Sequence, residues 1–328
     1  MRVVVLAGGR SSEHPVSLDS GRSVQEGLQR AGHDVRAVVI GRDGVWRENG
    51  DVVSITPGRG VLDAEVVFPV LHGPFGEDGT VQGLLETADV PYVGAGVMGS
   101  AVCMDKVTFK NLMAHEGMPQ VRYEAVPERD WEQRRHAVLD ALGGLGLPVF
   151  VKPARLGSSV GISKVTEPGG LVAALESALA HDPVAIVEAA AAGIEVECSV
   201  MGTDQPEVSE PGQVIANADW YDYESKYTAG GMELVVPAPI SAAQRERVRR
   251  IAQEAFLRSA CSGLARVDFF VTDEGQVLLN ELNTIPGFTS TSVFARLFEA
   301  SGVSYEELLN RLLGYAVERY ERARAHSF

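Results

Sequence analysis

Arg266, Asp268, Glu281 and Asn283 sit on two segments, 264–271 (LARVDFFV) and 276–283 (QVLLNELN), that are rich in β-branched and aromatic residues. Asp273-Glu274-Gly275 lies between them, so the pair reads as a hairpin. A two- or four-residue loop sets Asp268 opposite Glu281 and Arg266 opposite Asn283. All four side chains then share one face, because side chains alternate along a strand. Facing carboxylates repel unless a hard cation lies between them. Asp, Glu and Asn oxygens with positions left for phosphate and water suit Mg²⁺ beside a nucleotide. The alternative is a solvated face on which Arg266 neutralises the acids. The following turn, Thr284-Ile285-Pro286-Gly287-Phe288-Thr289-Ser290-Thr291-Ser292, favours the first reading. Backbone N–H groups at Gly287 and at a helix start near Val293 would point at the hairpin and receive a carboxylate or a developing oxyanion. Ser and Thr before a helix are also ordinary caps.

Other segments carry charge suited to phosphate. Lys152 ends an apolar strand, and Arg155-Leu156-Gly157-Ser158-Ser159-Val160-Gly161 turns into the next. A lysine beside a Gly/Ser loop makes a phosphate cradle; the same residues also make a flexible hairpin tip with a snorkelling lysine. Neither G-x-x-x-x-G-K-[ST] nor G-x-G-x-x-G occurs at these strand ends, so a nucleotide site here is of another type. Lys106 can add a second positive charge, while Glu188 and Glu195 are placed to meet an adenine amino group and a ribose hydroxyl, though each alone reads as a solvated acid. Early in the chain, the loops carrying Glu13 and His72 both follow strands. There Glu13 can hold an ammonium group and His72 can orient a carboxyl or move a proton. Trp220–Tyr227, with Lys226 before Gly230-Gly231, suits a lid that lowers a lysine onto phosphate, or a surface loop with packed tyrosines.

These side chains need a scaffold of several units. The 328 residues exceed one ordinary core. Residues 1–94 alternate strands and helices as an open parallel α/β sheet. Gly94-Ala95-Gly96 marks a boundary, and 95–188 reads as a small second α/β unit with helices at about 105–115 and 128–142. Residues 189–328 contain strands, a long helix from about Ala242, the hairpin and two terminal helices. The fold class is α/β, α+β overall, in three domains: 1–94, 95–188 and 189–328. A formal charge of −15 argues against nucleic acid as partner. Cys103, Cys198 and Cys261 lack metal or disulfide spacing and fit free thiols in a reducing compartment, hence the cytoplasm. No run of about 18 apolar residues argues for a membrane span.

Together these stretches resemble a D-alanine–D-alanine ligase of the ATP-grasp superfamily over essentially the whole chain. The similarity rests on GGRSSEHPVSLDSG (8–21), VLHGPFGEDGTVQGLLE (70–86), MDK (104–106), VKPARLGSSVGISKV (151–165), YDYESKY (221–227), ARVDFF (265–270) and NELNTIPGFTSTS (280–292). The resemblance implies a three-domain ATP-grasp fold and two-step ligation through an acyl phosphate, with ATP and Mg²⁺, or Mn²⁺, as cofactors and D-alanine as substrate. It implies that Lys106, Lys152 and Lys226, with the Ser158-Ser159 loop, meet the phosphates, Glu188 the adenine and Glu195 the ribose. Asp268, Glu281 and Asn283 would hold the metal. Arg266 and the Gly287 amide would stabilise the oxyanion; Glu13, tied to Ser158 and Tyr227, would take the first ammonium. His72, Ser292 and Val293 would complete the amino-acid sites. A homodimer is expected. Ala189–Ala192, Ala154 and Val293 depart from common family residues. The rivals are another ATP-grasp carboxylate–amine ligase and a nucleotide-binding regulator without turnover; the amino-acid-site segments oppose the first, and the metal acids oppose the second.

Overall fold

The computed structural model describes residues 1–157, 160–216 and 232–326. Strand β1 (Arg2–Gly8), helix α1 (His14–Arg30), β2 (Asp34–Ile40), β3 (Trp46–Glu48), β4 (Asp51–Val52), β5 (Val66–Pro69) and α2 (Thr80–Ala88) build the first sheet, ordered β4-β3-β2-β1-β5. Its β2-β1-β5 centre is parallel, and β3 and β4 add an antiparallel edge that makes the sheet mixed. The apolar run of β1 is continuous because both faces are covered: Val3 and Val5 enter one core, Val4 and Leu6 another.

Helix α3 (Val97–Met104) follows directly on the Gly94-Ala95-Gly96 boundary and runs through Gly99. Packing outweighs propensity here, since a Cβ on Gly99 would come within 2.6 Å of the Ala260 carbonyl oxygen. Helix α4 (Lys106–His115) starts one residue later, capped by Asp105, which accepts from the Thr108 amide at 2.9 Å.

The second sheet comprises β6 (Tyr123–Pro127), β7 (Val149–Pro153), β8 (Ser163–Val165) and β9 (Val184–Ala189), antiparallel in the order β6-β9-β7-β8. Helix α7 (Leu171–Leu179) covers it. Between β6 and β7 the single helix expected over 128–142 is two, α5 (Glu128–Gln133) and α6 (Arg135–Gly143), broken at Arg134 with φ −137° and ψ 36°. No Gly or Pro marks that break.

The third sheet contains β10 (Ile194–Gly202), β11 (Glu207–Val208), β12 (Gly212–Ala216), β13 (Met232–Val235), β14 (Gly263–Val271) and β15 (Val277–Asn283), ordered β13-β12-β10-β14-β15 with β11 on β10. Helix α8 (Ala242–Arg258) begins at a Ser241/Gln244 capping box and lays Val248, Ile251 and Ala255 against Val196, Val267 and Phe269. The opposite face of β10 and β14 presents Glu195, Glu197, Arg266 and Asp268.

The hairpin reaches the expected register by an unexpected route. Val271 pairs with Val277, and the turn closes at Asp273-Glu274-Gly275 with Gly275 at φ +84°. That odd turn alone would set Asp268 against Asn280. A bulge at Asn280 adds one residue, so Phe269 pairs with Leu279 and Asp268 with Glu281. Strict alternation from Leu279 would drive Glu281 into the apolar core; the bulge buries Leu282 there instead.

Helices α9 (Val293–Ala300) and α10 (Tyr305–Arg324) return to the first sheet. Val24 and Leu28 of α1 meet Leu308, Leu309 and Leu312 of α10 in one core with Val3, Phe68 and Phe288. Closing the chain's end onto its beginning lays the 284–292 turn against α1. Among the described residues no helix is long and apolar enough to cross a membrane, and all three cysteines are free and buried.

Candidate active site

A cavity of about 590 Å³ lies where the three sheets meet, lined by Glu13, Lys106, Arg266, Glu281, Asn283 and Gly287 among others. On its floor Arg266 grips Asp268 in a two-pronged pair, Nε to Oδ1 at 2.8 Å and Nη2 to Oδ2 at 2.7 Å, and lies 3.0 Å from Glu197. The cross-strand partners are Asp268 with Glu281 and Arg266 with Asn283. The Asn283 side-chain oxygen accepts the Ile285 amide at 3.1 Å, which orients it. Two carboxylates and one amide oxygen are hard donors, so this set fits Mg²⁺. Among the described residues no group of three His, Cys, Asp or Glu side chains is placed to hold a metal, and the fit therefore depends on Asn283 as the third donor.

Lys106 joins this floor to the loop after β7. Its ammonium donates to the Leu156 carbonyl at 2.7 Å and lies 3.8 Å from Glu281. Behind it, Glu188 is wedged between Lys152 at 2.5 Å and Lys110 at 2.9 Å, and both Glu188 and Lys110 are buried. Burial alone would raise the Glu188 pKa, but the two ammonium groups hold it at about 2. Lys152 is raised despite its burial, mainly by Glu188 and then Glu281. The Glu188 carboxylate oxygens are directed at the two lysines. The trio carries one net positive charge, which suits an incoming phosphate. Glu195 lies on β10 opposite Phe270, two residues from Glu197 on the same face. Ser158, Ser159, Lys226 and Tyr227 lie outside the described residues.

From the first sheet, Glu13 immediately precedes α1. A Cβ on Gly73 would lie 2.7 Å from its Oε2, and one on Gly157 3.3 Å, so the buried carboxylate spans from the 72–79 loop to the phosphate-side loop. Glu77, also buried, accepts the Gly73 amide at 2.6 Å. Burial, reinforced by Glu13, raises its pKa to about 8. Both ring nitrogens of His72 are occupied: Nδ1 lies 2.9 Å from the Ile285 carbonyl and Nε2 3.2 Å from the Ser20 hydroxyl. Burial lowers its pKa, which favours the neutral ring.

A raised carboxyl pKa has a testable consequence. Folded Glu77 keeps its proton to about pH 8, whereas a free carboxyl loses it near 4.5. Between these values the folded state binds more protons, so this group's contribution to stability falls as pH rises through that window and is level above it. Glu77→Gln removes the slope. Melting temperatures of variant and wild type should diverge in the variant's favour from pH 5 to pH 8; a constant gap would contradict the shift.

The 284–292 turn closes the cavity. Ser292 precedes α9 without capping it by its side chain; its hydroxyl accepts the Thr289 amide at 3.0 Å and lies 2.7 Å from the Thr289 hydroxyl. A Cβ on Gly287 would lie 3.3 Å from that hydroxyl, which places Ser292 beside the candidate oxyanion donor. Val293 is buried with Val214, Leu234 and Leu297 and lines the cavity edge.

Sequence reasoning passed over Glu77, Glu197, Lys110 and Ser20. Glu197 was findable, two residues from Glu195 on a strand and hence on one face. Lys110 stands one helical turn after Lys106, but only packing reveals that it is buried.

The chain matches the D-ala D-ala ligase C-terminus family model over residues 112–314 and the D-ala D-ala ligase N-terminus model over 2–60 and 51–95. It is 47% identical to a D-alanine–D-alanine ligase of Deinococcus radiodurans, over 97% of this chain and 98% of that protein. The fold is similar to the D-alanine-D-alanine ligase from Coxiella burnetii (TM-score 0.88, 33% identity, covering 99% of this chain and 96% of that one). It is likewise similar to the VanG D-Ala:D-Ser ligase from Enterococcus faecalis (TM-score 0.87, 34% identity, covering 96% and 99%). Two paired family models and near full-length identity to such enzymes lead to one conclusion: the chain is a ligase and belongs to the D-alanine–D-alanine ligase family.

Proposed function

We propose that this ligase joins two D-alanine molecules into D-alanyl-D-alanine at the expense of ATP, for the synthesis of cell-wall precursors. The carboxylate of the first D-alanine attacks the γ-phosphate, releasing ADP; the amine of the second attacks the resulting acyl phosphate, releasing phosphate. The observation that carries this reading is one cavity in which Glu13, Lys106, Arg266, Glu281, Asn283, Gly287 and Ser292 converge. Glu13 binds the first ammonium. Lys106, Lys152 and Lys226 neutralise phosphate, with Lys152 set by Glu188, and Glu195 faces the ribose. Arg266 and the Gly287 amide receive the oxyanion, and Ser292 at the α9 start takes the second carboxylate. Asp268, Glu281 and Asn283 would hold Mg²⁺, or Mn²⁺, which when bound supplies charge neutralisation at the transferring phosphoryl group. The rest of the protein's work is alignment and exclusion of water.

We extend the reading to a three-domain division at 94 and 188 and to a cytoplasmic homodimer. Incubation with ATP, Mg²⁺ and D-alanine should yield ADP and dipeptide, with L-alanine, D-serine and D-lactate as parallel acceptors; no dipeptide, or preferred use of another acceptor, would overturn it. The relatives differ in their named acceptors, which makes Tyr227 the residue to alter. The family resemblance places it where ester-forming relatives carry Phe or His. Its hydroxyl is read as bonding Ser158 and Glu13. Tyr227→Phe removes a hydrogen bond worth about 0.5–1.5 kcal/mol, enough to move selectivity without destroying the site. The variant should gain measurable D-lactate use at low pH while keeping dipeptide synthesis. An unchanged ester-to-dipeptide ratio over a pH series counts against it.

A further inference from the structure

The turn that carries Gly287 is held from outside its own sheet. The Phe288 amide donates to the Ser20 hydroxyl oxygen at 3.2 Å, that oxygen lies 3.2 Å from His72 Nε2, and His72 Nδ1 lies 2.9 Å from the Ile285 carbonyl. A carbonyl only accepts, so Nδ1 bears the ring hydrogen. In a neutral ring Nε2 then accepts, and Ser20 supplies its O–H. Every donor in this chain has one acceptor, and the two peptide groups flanking Pro286-Gly287 are pinned from α1 and the loop after β5. Ser20 and His72 are 1% and 4% exposed, so water does not compete. One helical turn along α1, Ser23 accepts the Ser290 amide at 3.2 Å, and the Tyr305 hydroxyl donates to the Phe288 carbonyl at 2.8 Å.

We propose that Ser20 is a positioning residue: through the Phe288 amide and His72 it fixes the Gly287 turn in the orientation that receives the oxyanion of the ligation step. An oxyanion donor lowers the barrier only if it is aimed before charge develops. Loss of the Ser20 hydroxyl frees both the Phe288 amide and His72 Nε2, and the turn loses its fixed register against α1. The inference rests on the ligase reading above. Wild-type turnover tests that reading, whereas only the ratio of variant to wild type tests Ser20.

Ser20→Ala should lower kcat by about 10–100-fold, the scale of a misplacement near 1 Å. KM for ATP should not change. Affinity for a phosphinic-acid dipeptide analogue, whose P–O⁻ occupies the oxyanion position, should fall by a similar factor. Ser17→Ala is the control for plain loss of structure. Ser17 lies on the same helix and is also buried, but its hydroxyl bonds the Gly8 amide at 2.7 Å and the Val70 carbonyl rather than the turn. It should lower the melting temperature and leave kcat in place. Should Ser20→Ala fail to fold, Ser20→Cys keeps the size with a weaker donor and should show the same pattern at smaller amplitude. Wild-type kcat in a folded Ser20 variant overturns the proposal, as does equal loss of ATP affinity and kcat, or an equal loss of kcat in Ser17→Ala.

Discussion

Glu281→Gln should leave a folded protein whose turnover drops by more than the about 10–100-fold that follows loss of an outer-shell partner of a metal. The substitution keeps shape and removes one negative charge from the face shared with Asp268. With a neutral amide there, the donor set has one carboxylate fewer for a divalent cation. Residual activity should therefore shift to higher Mg²⁺ concentration. The bulge at Asn280 sets the size of the effect, because it alone turns Glu281 out of the core and toward Asp268. Turnover measured across a Mg²⁺ series is the check. Near wild-type rates at limiting Mg²⁺ would mean that these acids do not hold the cation.

Lys152→Ala should weaken ATP binding by about 10–100-fold, since a hydrogen bond to a charged group contributes about 1.5–3 kcal/mol. D-alanine binding in the absence of nucleotide should stay as it is. The fold should tolerate the change better than a buried ion pair usually would. Removing one partner commonly costs about 3–5 kcal/mol through the stranded charge. Here Glu188 keeps Lys110 at 2.9 Å. Acid should then expose the difference between the proteins. With Glu188 depressed to about 2, its paired state stabilises the fold above the ordinary carboxyl range, and that stabilisation is lost as pH falls toward 2. Titration calorimetry with unchanged nucleotide affinity would rule out Lys152 as a phosphate contact.

Local pattern carried a good part of this protein. Period-two alternation in LARVDFFV places Arg266 and Asp268 on one face, and the continuous apolar run of β1 announces a strand covered on both sides. The ordered motifs, from the Glu13 loop to the 280–292 turn, were enough to suggest the family. Each of those signals lies within a few residues of itself, where backbone geometry and side-chain period act directly. Other features depend on distant partners. Lys110 looks like a surface lysine until β9 places Glu188 against it and removes the water from both. Helix α3 forms through Gly99 because the backbone at Ala260 and Cys261 packs closely against it, where a Cβ would not fit. Asn280 bulges because Leu279 and Leu282 both enter the core, and no strict alternation satisfies both. His72 and Ile285 are 213 residues apart and His72 touches that carbonyl only because α10 folds back on α1. Whether a polar side chain meets solvent, substrate or a buried partner is decided by which surfaces the cores bring together.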